Sequence, residues 1–204
     1  MYPATQTFWL DPTGLVRTGL RRYTHHDGAW TCEAGWHQAL TITGTAPATF
    51  DENGYLRPID AVDHNDTRWP RTCADCGYEF TDDDPWQEWT DRLYRRSDTG
   101  EEITLRDAPP GASWDATWLP DNYRGPDGIA LVVKCPSGRE WMVDSEASNC
   151  TRKGEAHQCW VRHGDPRECR VTVDKNGDTC AAGAGSIVAG DYHGFLRDGV
   201  LTAG

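Results

Sequence analysis

The chain has 204 residues, with 20 Lys and Arg against 32 Asp and Glu, for a formal net charge of −12. That balance opposes nucleic acid as a partner, because affinity for phosphates rests on their neutralisation by Lys and Arg. No apolar run approaches a membrane span, and residues 1–10 lack the basic start and apolar core of an export signal. The expected location is the cytoplasm.

Hydrophobic residues make up 37% of the chain, alongside 21 Gly and 12 Pro, a composition that suits short strands joined by turns. The expected class is α+β, mostly β, in two lobes: residues 1–97, a turn-rich connection over 98–128, and a β-rich lobe over 129–204. Thr7 to Arg17 reads as a β-hairpin turning at Asp11-Pro12-Thr13-Gly14. Short strands are expected over Ala39–Thr43 and Tyr55–Ile59. Residues 84–96 predict the one clear helix, with Asp84 as its cap, Pro85 at its first position and Trp86, Trp89 and Leu93 at helical spacing. In the second lobe, strands are expected over Ile129–Lys134, Glu140–Val143, Cys159–Arg162, Val171–Val173, Ser186–Val188 and His193–Leu196.

Eight cysteines in a chain without an export signal point to metal binding ahead of disulfides. Cys73-Ala74-Asp75-Cys76-Gly77 is half of a zinc-ribbon pattern, since two thiolates at this spacing reach one tetrahedral ion. Cys32 and His37 supply the other half, giving a structural zinc site of three cysteines and one histidine. His64 is a spare ligand, more ordinarily a turn histidine. A second group, Cys150, His157, Cys159 and His163, puts alternate residues on one strand face. It reads first as buried thiols with hydrogen-bonded histidines, and second as another metal site.

Near the carboxyl end, a two-residue turn at Ala189-Gly190 would set Ser186 opposite His193, with Cβ atoms about 4.5–5.5 Å apart, within reach of a nucleophile–base hydrogen bond. Gly183, Ala184 and Gly185 would leave backbone N–H groups accessible for an oxyanion. A turn at Gly190-Asp191 would separate the pair. Asp144 and Asp191 are candidate orienting carboxylates, and Cys180 is a rival nucleophile with His157 or His163 as base. The plainer account is a tight turn with a Ser–His contact in the core.

Three short motifs carry a family resemblance: Leu131-Val132-Val133-Lys134-Cys135-Pro136-Ser137-Gly138, Ser186-Ile187, and His193-Gly194-Phe195-Leu196 followed by Asp198-Gly199-Val200. Over about Ile129 to Leu201 the chain resembles the DUF6527 family of bacterial and phage domains, whose members in ubiquitination-like operons are regarded as peptidases. The resemblance implies Ser186 as nucleophile and His193 as base. Here Gly185 stands where the family tends to have Pro, and residues 150–170 look like an insertion. The chain also resembles accessory proteins of actinobacterial phages. Two functions follow as expectations. One is a zinc-stabilised phage-type protein with a Ser/His hydrolase site for a peptide-like substrate. The other is a non-enzymatic virion accessory or host-factor-binding protein with a protein partner.

Overall fold

The computed structural model describes residues 2–24, 32, 37–52, 56–57, 64–155, 157–175, 179–180 and 185–204. Its elements are strands: β1 (Thr5–Gln6), β2 (Phe8–Tyr23), β3 (Gln38–Pro47), β4 (Trp86–Arg96), β5 (Glu102–Thr104), β6 (Ala112–Asp115), β7 (Leu131–Lys134), β8 (Glu140–Met142), β9 (Val161–His163), β10 (Thr172–Asp174), β11 (Ser186–Ala189), β12 (Tyr192–Arg197) and β13 (Val200–Ala203). Helical structure among the described residues is limited to two three-residue 3₁₀ turns, Asp121–Tyr123 and Pro166–Glu168. The chain divides into two compact units, Pro12–Tyr94 and Met1–Asp11 with Arg95–Gly204.

In the Pro12–Tyr94 unit, β2 pairs with both β3 and β4. The antiparallel β2–β3 ladder runs from Leu15↔Pro47 to Tyr23↔Gln38, with a bulge at Thr18/Gly19. Gly19 is required there, because a Cβ at this position would fall inside the Trp89 ring. The hairpin expected over Thr7–Arg17 is absent. Asp11-Pro12-Thr13-Gly14 lies within the continuous strand β2, whose partners come from residues 38–47 and 86–96 and, at Phe8 and Trp9, from residues 112–113. The strand expected over Tyr55–Ile59 falls largely outside the described residues, and Leu56 forms an isolated bridge with Phe50.

The helix expected over 84–96 is corrected to strand β4, so the fold is β-rich and the α+β assignment does not hold. The local signals were used differently. Asp84 accepts the Thr81 N–H at 2.7 Å, closing a turn behind itself instead of capping a helix ahead. The Pro85 carbonyl accepts the Tyr23 N–H, docking the start of the segment beside β2. Aromatic and β-branched residues such as Trp86, Trp89, Thr90 and Tyr94 suit a strand, and sheet partners override a weak helical period.

In the other unit, β1, β13, β12 and β11 form an antiparallel sheet in that order. β7 runs antiparallel to both β6 and β8, while Phe8 and Trp9 pair in parallel with Ala112 and Ser113 of β6. β5 and β6 lie within the stretch 98–128 that reads in sequence as a turn-rich connection. The shared core includes Trp9, Leu131, Val133, Ile187, Tyr192, Leu196 and Leu201. Each such side chain contributes about 1.5–3 kcal/mol on leaving water.

Turn chemistry fixes the β11–β12 register. Ala189 pairs with Tyr192, Val188 with His193, Ile187 with Gly194 and Ser186 with Phe195. The two turn residues are therefore Gly190 and Asp191. Gly190 has φ +63°, as the first central position of a II′ turn demands, whereas Ala189 there would carry a strained positive φ. The following hairpin turns on Asp198-Gly199, both with positive φ, which pairs Arg197 with Val200. That Asp-Gly pair is the strongest short hairpin signal in the lobe and accounts for β13, a strand beyond those expected from the sequence.

Candidate metal centres

The first cluster is built on a narrow turn in the Pro12–Tyr94 unit. Thr72 and Glu79 form a bridge, Phe80 N–H donates to the Arg71 carbonyl, and Cys73 N–H donates to the Tyr78 carbonyl at 2.8 Å. The loop is closed by Gly77 N–H, which donates to the Cys73 carbonyl at 2.9 Å. This knuckle presents Cys73, which is buried, and Cys76, which is exposed. His37 stands just before β3, where its carbonyl accepts the Thr24 N–H from the end of β2. Its Nδ1 lies 3.2 Å from Cys76 Sγ, and its ring stacks on Tyr78 at 4.2 Å with a 6° tilt. With Cys32, the donor atoms of these four residues lie within 4.8 Å of one another. The sequence-derived set Cys32, His37, Cys73 and Cys76 is thus brought together as one group.

Arg22, 4% exposed, braces this knuckle. Its guanidinium donates to the carbonyls of Pro70 and Thr81, one on each flank of the cysteine turn. It also lies over the rings of Trp69 and Phe80, at 5.6 and 5.1 Å from their centroids. Burial pushes the Cys73 thiol up, but backbone N–H groups of Asp75, Gln38 and Cys76 outweigh it and hold the group at about 6. A sulfur held so near its thiolate form is prepared for a cation. His64 stands apart from the group, stacked on Trp69 at 4.0 Å.

A second cluster of the same composition lies in the other unit: Cys150, His157, Cys159 and Cys180, again with donor atoms within 4.8 Å of one another. Three of the four expected members are present, and the fourth is Cys180 in place of His163. The strand-face argument fails because β9 begins only at Val161. His157 and Cys159 belong to the preceding loop, while His163 pairs with Thr172 and is exposed. His157 Nε2 is 3.2 Å from Cys150 Sγ and 3.5 Å from Cys159 Sγ, and Cys180 Sγ is 3.5 Å from Cys159 Sγ. Burial pushes the Cys159 thiol up to about 12. His157 and Cys159 also border a cleft of about 400 Å³, shared with Tyr123, Asp144, Glu146 and Glu155.

The residues expected to act in catalysis are not arranged as a triad. Ser186 lies opposite Phe195 and His193 opposite Val188, so the two stand diagonally across the ladder, where separations are about 7–8 Å. Asp144 is engaged elsewhere: both its carboxylate oxygens accept from Arg162 Nε at 3.0 Å. Burial raises the Asp144 carboxyl above its ordinary value in spite of Arg162. Asp191 accepts the Tyr2 hydroxyl at 2.7 Å. Gly183 and Ala184 lie outside the described residues. Cys135 and Cys169 belong to neither cluster, and burial pushes Cys135 up to about 12.

Comparison with protein-family models, curated proteins and solved structures returns no match. No helix among the described residues is long and apolar enough to cross a membrane.

Proposed function

We propose that the chain is a zinc-stabilised, non-enzymatic binding protein, in which Cys32, His37, Cys73 and Cys76 hold one structural zinc ion. The observation that carries this reading is the completeness of the knuckle cluster. Three sulfurs and one imidazole within 4.8 Å of one another fill a tetrahedral shell and leave no position for water or substrate. A catalytic zinc keeps such a position open. The Ser186–His193 separation and the diversion of Asp144 to Arg162 favour the binding reading over the hydrolase. The net charge of −12 favours a protein partner over nucleic acid, and phage accessory or host-factor binding is the setting that fits the composition.

The test joins metal analysis with active-site labelling of the full chain. Cys73→Ser is expected to lose one zinc per chain relative to wild type, and the zinc-loaded wild type to resist a fluorophosphonate probe. Unchanged zinc in Cys73→Ser would overturn the structural site. Labelling that Ser186→Ala abolishes would overturn the non-enzymatic reading and restore the hydrolase.

A further inference from the structure

We propose that Cys150, His157, Cys159 and Cys180 form a second zinc site, which clasps the loop between β8 and β9 to the connection between β10 and β11. The inference goes beyond the knuckle zinc and rests on different residues. It begins with distances. Ligands placed about 2.0–2.3 Å from one tetrahedral ion stand roughly 3.5–3.8 Å from each other. The separations here are 3.2, 3.5 and 3.5 Å, at that spacing or just inside it, and they connect all four residues into one group. Paired thiols alone would satisfy such contacts two at a time; here three sulfurs and a nitrogen all lie within 4.8 Å of one another.

The surroundings match a thiolate–metal centre. Ala147 N–H points at Cys159 Sγ at 3.2 Å, and Arg152 N–H points at Cys150 Sγ at 3.3 Å. Backbone donors aimed at sulfur stabilise the charged form that a metal requires. His157 Nδ1 lies 2.9 Å from the Glu155 carbonyl, a partner that can only accept. That bond places the proton on Nδ1 and leaves the Nε2 lone pair facing the sulfurs, the tautomer a ligand needs. Cys180 is brought in by its own N–H, which donates to the Gln158 carbonyl at 3.2 Å, next to two of the other ligands.

The chain path supplies a reason for a clasp. Between Met142 and Val161 the described residues form neither strand nor helix, only turns, and the buried side chains there are few besides the cysteines. A long stretch of this kind inside a compact unit needs a constraint from outside regular structure. Soft sulfur donors with one imidazole select zinc over magnesium or calcium. Binding displaces the three thiol protons to solvent and leaves a closed shell, so the ion holds the loop instead of reacting.

The test counts zinc in the purified full chain by native mass spectrometry. Wild type is expected to carry two ions, Cys180→Ala one, and Cys180→His, which restores a ligand, two. His163→Ala is expected to keep two. A wild-type count of one, lost in Cys73→Ser and kept in Cys180→Ala, overturns the second site. A count of one that is lost in Cys180→Ala and kept in Cys73→Ser overturns the knuckle site alone. Two ions in Cys180→Ala, with one lost in His163→Ala, would return the fourth ligand to His163.

Discussion

The knuckle cluster and the loop cluster present the same donors, three thiols and one imidazole, yet they are assembled in opposite ways. In the knuckle, Cys73 and Cys76 share one tight turn whose backbone bonds are made within ten residues, Arg71 to Phe80, and Cys32 and His37 come to it from elsewhere in the chain. In the loop cluster, the ligands run from Cys150 to Cys180 and are joined by contacts across two irregular segments. The arginines differ as well. Arg22 braces the knuckle through carbonyls and aromatic faces, while Arg162 sits in the other unit between two carboxylates, Asp127 and Asp144. A site with half of its ligands on one turn carries that half of its geometry in local spacing, whereas a site built from loops depends on the packing around it.

Removing a ligand from each proposed zinc site should give the largest contrast. Metal binding is worth on the order of 10 kcal/mol to small zinc modules. Cys73→Ser is expected to remove hydrogen-exchange protection from most of Pro12–Tyr94. Cys180→Ala should expose amides from Ala147 to Cys159 while β11–β13 stay protected by Ile187, Tyr192, Leu196 and Leu201. Equal loss in both units after either substitution would erase the distinction between the two assemblies.

Next in size is Arg162→Met. The Arg162 side chain is 4% exposed and donates to Asp144, itself 11% exposed. Its loss leaves a buried carboxylate unpaired, at a cost of about 3–5 kcal/mol in urea denaturation. The pH response has two opposing parts. Hydrogen bonding to Arg162 holds the Asp127 carboxyl below its ordinary value, so its contribution is present above the unfolded value and lost as pH falls through the folded one. Asp144 lies above its ordinary value, so its ionisation weakens the fold as pH rises from the unfolded value to the folded one. Asp127→Asn should therefore flatten the acid side of the stability profile, by less than about 1 kcal/mol because the group is 37% exposed.

Arg22→Met sharpens the comparison from the other side. It removes two charged hydrogen bonds and two cation–π contacts, so a loss of about 2–3 kcal/mol is expected in thermal or urea unfolding. Arg22→Lys should rescue little, because an ammonium cannot stack flat between Trp69 and Phe80. Zinc affinity of the knuckle should fall while the loop cluster keeps its ion; a loss from both would sink the idea of separate braces.

What the sequence made legible follows the same division. The C-x-x-C turn could be read because the spacing of Cys73 and Cys76 is itself the geometry, and Cys32 and His37 were matched to it by residue type. Cys180 could not, since its approach to Cys159 depends on the Gln158 contact and not on any local period. The β4 segment misled for a related reason: Trp86, Trp89 and Leu93 mimic a helical face, but Asp84 turned back to Thr81 and strand β2 was available as a partner.

The smallest effect concerns the β11–β12 turn, and it isolates what hydrophobic pattern leaves undecided. Pairing Ser186 with His193 would set Ile187 opposite Tyr192, so both registers keep these two residues on the buried face. Burial therefore does not choose between them, and the turn does. Gly190 supplies the positive φ at the first central position, and Ser137 Oγ fixes the result by donating to the Ala189 carbonyl at 2.7 Å. Gly190→Ala alone should weaken the hairpin by about 1 kcal/mol, measurable in urea, because the new Cβ meets both a strained φ and Arg139 Cγ at 3.0 Å. Adding Ala189→Gly to it moves the permissive residue back one place and should bring Ser186 opposite His193, read as new cross-strand nuclear Overhauser contacts between them. If those contacts fail to appear while the hairpin remains folded, the Ser137 bond and not the turn residue sets the register.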